Sequence, residues 1–405
     1  MQTFIDARFK DTEAGREAEA ILRSCVHCGF CNATCPTYQL TGDERDGPRG
    51  RIYLIKQALE GREVSVRTQR HLDRCLTCRA CETTCPSGVQ YGRLAEIGRE
   101  IVDAQVRRPS DQRLLRRLLR LVLPYPERFA LALRLGRALR FALPGALRRK
   151  IPAAHAPGPR PPARHARTVV LHEGCVQPAA TPRTNAAAAR VLDRLNISAM
   201  SQRGQGCCGA ISYHTGAHEE GLDFMRRNVD AWWPQVEAGA EAIVSAASAC
   251  SLMVKEYGRA LKDDPAYARR AARVSELAAD LSEVVAREDY ATLAGTVQPR
   301  RAAFHAPCTL QHGQRRAGAV EAMLSAAGHE LLPVADAHLC CGSAGTYSVL
   351  QPAMSGRLLA DKVAALEAGG PEVIATANVG CQLHLQTAAD VPVVHWIELL
   401  DPARA

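Results

Sequence analysis

Cysteine is the residue type whose spacing carries most chemical information in this chain. Near the N-terminus, four cysteines follow the spacing C-x2-C-x2-C-x3-C-P: Cys25, Cys28, Cys31 and Cys35. The same pattern returns 50 residues later: Cys75, Cys78, Cys81 and Cys85. Two-residue gaps let a tight turn direct three thiolates to one side, and this spacing is typical of [4Fe–4S] clusters. The two runs therefore predict two [4Fe–4S] clusters.

The pairing of these cysteines follows from the bacterial ferredoxin spacing that they share. In such runs the fourth cysteine leaves its own loop and binds the cluster of the other run. The first expected ligand set is Cys25, Cys28, Cys31 and Cys85. The second is Cys75, Cys78, Cys81 and Cys35. Four-thiolate zinc sites overlap with one such run, but two tandem copies ending in Cys-Pro favour iron–sulfur.

The bulk composition narrows the roles that so many cysteines can have. The chain has 405 residues and 16 cysteines, which allows two or three domains with their own cores. Its first ten residues are charged and lack an apolar segment, so we expect no secretory signal and a cytoplasmic protein. Metal ligation then accounts for the cysteines better than disulfides do. We expect no transmembrane helix, because uninterrupted apolar stretches of sufficient length are absent.

The remaining eight cysteines form a second internal repeat. In each copy a first cysteine is followed, after 31 residues, by Cys-Cys-Gly, and then by a fourth cysteine 40 or 38 residues after the glycine. The first copy contains Cys175, Cys207, Cys208 and Cys250. The second contains Cys308, Cys340, Cys341 and Cys381. These eight are candidate ligands of further clusters, whose presence the sequence leaves open.

The elements that position these cysteines differ between the two halves of the chain. Residues 1–106 predict an all-α module, with helices in 1–24, 50–59 and 91–106 between the cysteine loops. In each later repeat, short apolar strands precede the first and last cysteines, and Ala-rich helices separate them. Such alternation predicts small parallel sheets, whose carboxyl ends hold the site. The expected fold is α+β and multidomain, with α/β repeats at 168–290 and 300–401.

The segment 107–167 is basic and amphipathic, and it ends in a Pro-rich linker at 151–167. Residues 101–167 contain 16 basic and 3 acidic residues, whereas the net charge of the whole chain is +9. In 107–150, leucines alternate with arginines, and prolines interrupt the helices. A basic amphipathic helix is typical of contact with an anionic membrane surface or a partner. Alternatively, the leucines cover another domain and the arginines are only solvated.

The Cys-Cys-Gly repeats resemble the cysteine-rich CCG domains of heterodisulfide reductases and of iron–sulfur subunits of 2-hydroxyacid dehydrogenases. Two ferredoxin motifs followed by two such repeats resemble the iron–sulfur subunits of bacterial glycolate oxidase (glycolate dehydrogenase). The resemblance extends over essentially the full length and includes these segments: 173–178, 227–234, 254–258, 307–312, 338–347 and 395–401.

This resemblance implies an electron relay. FAD on partner subunits would oxidise glycolate to glyoxylate, and this chain would pass electrons to membrane quinone or another acceptor. The chain would be cytoplasmic or peripheral on the inner face of the cell membrane. A related lactate or glycerol-3-phosphate dehydrogenase subunit, or a disulfide reductase, is the alternative. We expect no nucleic-acid binding, because the basic segment lacks interleaved aromatic residues. We also expect no FAD site on this chain, because its one G-x-G-x-x-G sequence, 204–209, is the cysteine motif itself.

One departure from the heterodisulfide reductase pattern concerns its closing C-x2-C, which binds a noncubane cluster. Here Met253 and His384 occupy the position of that final cysteine. His384 is either a substitute ligand or a hydrogen-bonded residue at a helix start. Other histidines near the cysteines are expected to satisfy loop backbone groups: His172, His305, His312 and His338. Trp232 and Trp233 are expected in the core.

Overall fold

The computed structural model describes residues 1–404, and its N-terminal module is entirely helical. Residues 1–166 form helices and turns without a strand. The helices of the module are α1 (Ala7–Lys10), α2 (Glu13–Ser24), α3 (Phe30–Ala33), α4 (Pro36–Thr41), α5 (Pro48–Leu59), α6 (Val66–Asp73), α7 (Ala80–Thr84) and α8 (Tyr91–Gln105).

Helices α2, α5 and α8 build the core of this module. The side chain of Thr12 caps α2 by accepting a hydrogen bond from the Gly15 N–H at 3.0 Å. Ile55 of α5 lies directly against Gly98 of α8, where an added Cβ would be only 2.5 Å from its side chain. The glycine therefore lets the two helices cross closely.

The basic segment contains three helices: α9 (Ser110–Val122), α10 (Pro126–Ala138) and α11 (Gly145–Arg149). Arg116 of α9 is buried and contacts Asp73 at 3.3 Å. Leu114 and Leu118 are instead 58% and 50% exposed. The expectation that the leucines cover another domain is therefore wrong for Leu114 and Leu118, whereas Leu119 and Leu123 are half-buried.

Each repeat contains a four-stranded parallel sheet with the same strand order. The first sheet has the order β2-β1-β3-β4, with β1 (Arg167–His172), β2 (Ile197–Met200), β3 (Ile243–Ser245) and β4 (Ala278–Asp280). The second has the order β6-β5-β7-β8, with β5 (Arg301–His305), β6 (Glu330–Leu332), β7 (Val373–Thr376) and β8 (Val393–His395). The expected α+β architecture with small parallel sheets is confirmed.

Helices connect the strands of both repeats. The first repeat contains α12 (Gln177–Ala180), α13 (Pro182–Arg194), α14 (Ala210–His214), α15 (His218–Glu237), α16 (Ser248–Lys255), α17 (Tyr257–Ala260), α18 (Ala268–Leu277) and α19 (Leu281–Ala286). The second contains α20 (Ala319–Ala326), α21 (Tyr347–Leu350), α22 (Pro352–Glu367), α23 (Val379–Leu385) and α24 (Trp396–Leu399). Among residues 1–404, no helix has both the length and the apolar run needed to cross a bilayer.

The two repeats share one hydrophobic core. Leu171 and Val191 of the first repeat belong to the same buried cluster as Phe304 and Trp396 of the second. Because the faces of the two sheets are packed against common side chains, the repeats hold each other in a fixed orientation.

The two neighbouring tryptophans of α15 differ in burial. Trp232 is fully buried, and its indole N–H donates to Gln205 Oε1 at 3.0 Å, which confirms the expected core position. Trp233 is half-buried, and the guanidinium of Arg270 lies 5.9 Å from its ring centre. The prediction of a core position is therefore confirmed for Trp232, whereas Trp233 is only partly in the core.

Candidate iron–sulfur sites

Two cavities in the N-terminal module collect the cysteines of the two runs. Four cysteines of the first expected set line one cavity: Cys25, Cys28, Cys31 and Cys85. Four cysteines of the second expected set line the other: Cys35, Cys75, Cys78 and Cys81. Cys81 also reaches the first cavity, so the two are close neighbours. The fourth cysteine of each run thus lies with the first three of the other run.

The two cysteine loops have the same backbone conformation at equivalent positions. His27 and Gly29 of the first loop have φ values of 60° and 89°, and Thr77 and Arg79 of the second have 55° and 60°. Three of these four residues are not glycine, so each conformation has a cost that the surrounding structure must offset. A positive φ at every second residue of the loop turns backbone N–H groups inward, which makes a concave site for an anion. The N–H of Thr77 accordingly points at Cys75 Sγ, at 3.4 Å.

Two arginines stabilise the thiolate of the second set. Burial alone would raise the pKa of Cys75, but the charges of Arg51 and Arg99 outweigh it and lower the pKa. Arg51 is itself buried, and its Nε donates to the carbonyl of His71 at 2.7 Å. The thiolate is the form of cysteine that ligates metals. Four convergent thiols beside the buried Arg51 and the half-buried Arg99 therefore fit a cluster whose thiolate ligands add negative charge.

The cysteines of the first repeat lie at the carboxyl ends of its strands. The Cys207 thiol interacts with the thiols of Cys175 and Cys208, and the Cys208 thiol interacts with that of Cys250. At Gly209 φ is 89°, and an added Cβ would lie 2.7 Å from the Gly221 carbonyl oxygen. The glycine of the Cys-Cys-Gly motif is thus required by the backbone, and four thiols form a continuous group.

The second repeat places its cysteines in the same way. Cys308 and Cys340 have their sulfurs 4.0 Å apart, and the N–H of Gly342 donates to Cys340 Sγ at 3.4 Å. The Cys341 thiol interacts with those of Cys340 and Cys381, and the sulfurs of Cys341 and Cys381 lie within 4.8 Å of each other. Gly342 has a φ of 86°, which matches the glycine of the first repeat.

The histidines near the cysteines behave differently from one another. His172 Nε2 bonds to the Gly206 carbonyl at 2.8 Å, and His312 Nε2 to the His338 carbonyl at 2.9 Å, as predicted. His305 contradicts the prediction, because both ring nitrogens are buried without a hydrogen-bond partner. His384 lies near the end of α23, not its start, and bonds to Ser355 Oγ at 3.1 Å. Burial lowers the pKa of His384 to about 4.

The second N-terminal set lies directly against the second repeat. Cys78 and Leu76 pack in one cluster with Cys308 and Cys340. The hydroxyl of Tyr347 donates to the Arg74 carbonyl at 3.1 Å across the same junction. Motif spacing could not reveal this proximity, because it depends on how separate modules dock.

A cavity of about 480 Å³ lies beside this junction and is lined by the N-terminal module and by both repeats. Cys75, Cys340 and Cys381 reach its wall, as do Arg99 and Arg116. This volume is in the range of pockets that hold small organic ligands. Both the second N-terminal set and the second repeat therefore border a space large enough for a small molecule.

Comparisons with known proteins match both halves of the chain. The 4Fe-4S dicluster domain family matches residues 21–89, and the cysteine-rich domain family matches residues 169–255 and 302–386. Iron–sulfur clusters are therefore cofactors of this chain.

Individual relatives extend the similarity to the full length. The chain is 55% identical to the glycolate oxidase iron-sulfur subunit of Escherichia coli (strain K12), over 100% of this chain and 99% of that protein. It is 30% identical to the probable glycolate oxidase iron-sulfur subunit of Bacillus subtilis (strain 168), over 95% and 94% of the two chains. Lactate utilization protein A of Bacillus licheniformis is 28% identical, but the match covers 53% of this chain and 91% of that protein.

Proposed function

We propose that this chain, which belongs to the family of glycolate oxidase iron–sulfur subunits, is the electron-transferring subunit of a flavin-dependent glycolate dehydrogenase. FAD on a partner subunit oxidises glycolate to glyoxylate, and the clusters of this chain carry the electrons singly towards a quinone or another acceptor. The observation that carries the proposal is the full-length 55% identity, joined to two sets of four convergent cysteines.

The ligands in this proposal are the eight N-terminal cysteines in crossed sets. Cys85 completes the set of the first loop, and Cys35 completes the set of the second. Arg51 and Arg99 supply positive charge beside the second set, which stabilises added electrons there. The thiols of the first repeat form a third group of four, and their continuity supports a further cluster in that repeat.

The surroundings of the two sets support an order of electron flow. Cys28 of the first set is exposed, and the neighbouring Val26 and Phe30 are 68% and 62% exposed. Exposed apolar side chains around a cofactor site are typical of a surface that a partner covers. We therefore assign entry from the flavin subunit to the first set. The second set, which faces the repeats and the cavity, is the exit.

Attachment to a membrane surface is a further part of the proposal. Leu114, Leu118 and Leu121 point outward from α9 and are 45% to 58% exposed. Arg113 and Arg117, which are also exposed, lie on the same helix. An apolar stripe with adjacent arginines suits an anionic bilayer surface, which supports peripheral binding and access to a quinone.

The alternatives are less well supported. Relatives named for lactate utilisation match about half of this chain, and each repeat here has four cysteines, one fewer than the heterodisulfide reductase pattern. A complex that oxidises lactate in place of glycolate, or a chain that reduces disulfides unaided, would favour these alternatives.

The relay is tested with Cys78→Ala in the complex of this chain with its flavin subunits. Glycolate should still reduce the flavin in stopped-flow absorbance, whereas reduction of an artificial dye that accepts electrons from the clusters should be lost. The flavin step serves as the internal control for the substrate site of the partner, and co-purification of the variant with the flavin subunits verifies assembly. Loss of flavin reduction by the assembled variant, or full retention of dye reduction, would contradict the relay.

A further inference from the structure

Arg51 is a buried cation beside the second N-terminal set of cysteines. It lies on α5, is 1% exposed, and lines the cavity in which that set converges. Its guanidinium interacts electrostatically with Cys75 and Cys35, one cysteine from each loop. Because water does not surround this charge, it acts on the neighbouring sulfurs with little screening.

Two nitrogens of the Arg51 guanidinium have partners, and the third has none. Nε donates to the His71 carbonyl at 2.7 Å, and Nη1 donates to Thr37 Oγ1 at 3.1 Å. Nη2 is buried without a hydrogen-bond partner within residues 1–404, and Asp46 Oδ1 lies 3.7 Å from it, too far for a hydrogen bond. A buried donor without a partner is costly. A sulfur atom of a cluster in the adjoining cavity would accept this hydrogen bond.

The carboxylate beside Arg51 does not cancel the positive charge there. Asp46 Oδ2 is also 2.7 Å from Nη1 of Arg74, so two arginines share one carboxylate. Arg99 adds a third guanidinium, whose Nη2 donates to the Cys75 carbonyl at 2.7 Å. These groups together leave positive charge beside the second set.

Two hydrogen bonds also reach the sulfur of Cys75. The hydroxyl of the buried Tyr91 donates to Cys75 Sγ at 3.6 Å, and the N–H of Thr77 donates to it at 3.4 Å. Hydrogen bonds to ligand sulfurs are one of the factors that set the potential of a cluster, because they stabilise its more negative reduced form. In the described part of the chain, no side-chain hydroxyl bonds to a sulfur of the first set.

The first set has a weaker cationic neighbour. Arg49, two residues before Arg51, lines the first cavity, but its side chain is 36% exposed. Its Nε is 2.5 Å from Glu44 Oε1, so a carboxylate offsets its charge and solvent screens the remainder.

Burial of the second set acts in the opposite direction, because it disfavours the added negative charge of a reduced cluster. Arg51 lies in the same buried surroundings, where the attraction between opposite charges is strengthened as well. The hydrogen bonds from Tyr91 and Thr77 add to this attraction. The balance of these effects favours the reduced form at the second set.

We propose that Arg51, together with the hydroxyl of Tyr91, raises the reduction potential of the second cluster above that of the first. Neither residue is a ligand: they act through charge and hydrogen bonds. One electron then passes inward with a favourable free-energy change, as the first cluster is oxidised and the second is reduced, and return to the flavin is disfavoured. This inference rests on the proposed ligand sets and relay, to which it adds a direction.

The first test is a redox titration of the anaerobically prepared wild-type protein, followed by electron paramagnetic resonance. The second cluster should be reduced at the higher potential. Its signal is identified as the one that remains when Cys28 and Cys85 are both replaced by alanine. A first cluster that is reduced before or together with the second would overturn this proposal. The relay itself would still stand if glycolate reduced a dye through the wild-type complex.

Substitutions then identify the residues responsible. Arg51→Met should shift the reduction equilibrium of the second cluster at least tenfold towards the oxidised form, which is about 59 mV for one electron, and leave the first cluster unchanged. Arg49→Met is the matched control and should not shift the second cluster. Tyr91→Phe keeps the buried ring, removes only the hydroxyl, and should lower the second potential by less; it remains informative if Arg51→Met assembles no cluster. A second potential that Tyr91→Phe or a cluster-containing Arg51→Met leaves unchanged, or that Arg49→Met lowers equally, would overturn the proposal.

Discussion

Paired cysteine substitutions distinguish crossed from consecutive ligand sets in the N-terminal module. Cys28 and Cys85 line one cavity, whereas Cys35 lines the other. Replacing Cys28 and Cys85 together by alanine should therefore damage one cluster, with a loss of about four irons per chain. Replacing Cys28 and Cys35 together should damage both clusters, with a loss of about eight irons. The two variants remove the same number of thiols, so each is the control for the other.

The expected difference between the two variants is about four irons and one cluster. Iron and sulfide analysis measures the first quantity, and integration of the reduced-cluster signal in electron paramagnetic resonance measures the second. Metals bound by the later repeats contribute equally to both variants and cancel in the comparison. The crossed assignment is refuted if the Cys28→Ala, Cys35→Ala variant retains the intact cluster and the Cys28→Ala, Cys85→Ala variant has none.

Three further predictions concern surfaces, core and pH. Leu114→Ser with Leu118→Ser should weaken binding to anionic lipid vesicles without changing the free energy of unfolding, since both side chains are exposed; unchanged vesicle binding would count against a membrane face. Trp232→Ala should lower the free energy of unfolding by about 3–5 kcal/mol in urea titration, and the half-buried Trp233 should cost less when replaced; equal effects would contradict the packing. Burial lowers the pKa of His395 from 6.5 to about 4, so its neutral form stabilises the fold above pH 6.5 and this contribution, about 3 kcal/mol, is lost as the pH falls to 4. His395→Gln should flatten that part of the stability profile, and a profile parallel to wild type would refute the reasoning.

Local sequence signals were sufficient for the cysteine loops and the sheets. The cysteine spacing alone locates two loops with the same ligand pattern. Short apolar runs before Cys175 and Cys308 predict the strands that end there. Both repeats also have the same strand order, because equivalent helices cover the sheet in each of them. These features depend on residues close together in the sequence or on the alternation of strands with helices, and both can be recognised in a single sequence.

Long-range contacts decided the features that the sequence did not reveal. The pattern of α9 leaves open which of its faces packs on the protein, and the structure buries Arg116, which contacts Asp73 of α6. His172 and His305 end equivalent strands and look identical in sequence. Their difference depends on whether the carbonyl of a distant loop, such as that of Gly206, comes within bonding distance. Neither outcome can be read from periodicity.

Helix α9 links two of the proposed features, and their arrangement bears on the choice of acceptor. Arg116 on its inner face lines the 480 Å³ cavity, which Cys75 of the second set also borders. Leu114 and Leu118 on its outer face are exposed. Because Cys75 borders the cavity, the second set can deliver its electrons directly to a molecule held there. If α9 lies on a bilayer as proposed, the cavity lies behind the opposite face of that helix, and this arrangement favours quinone over a soluble protein acceptor.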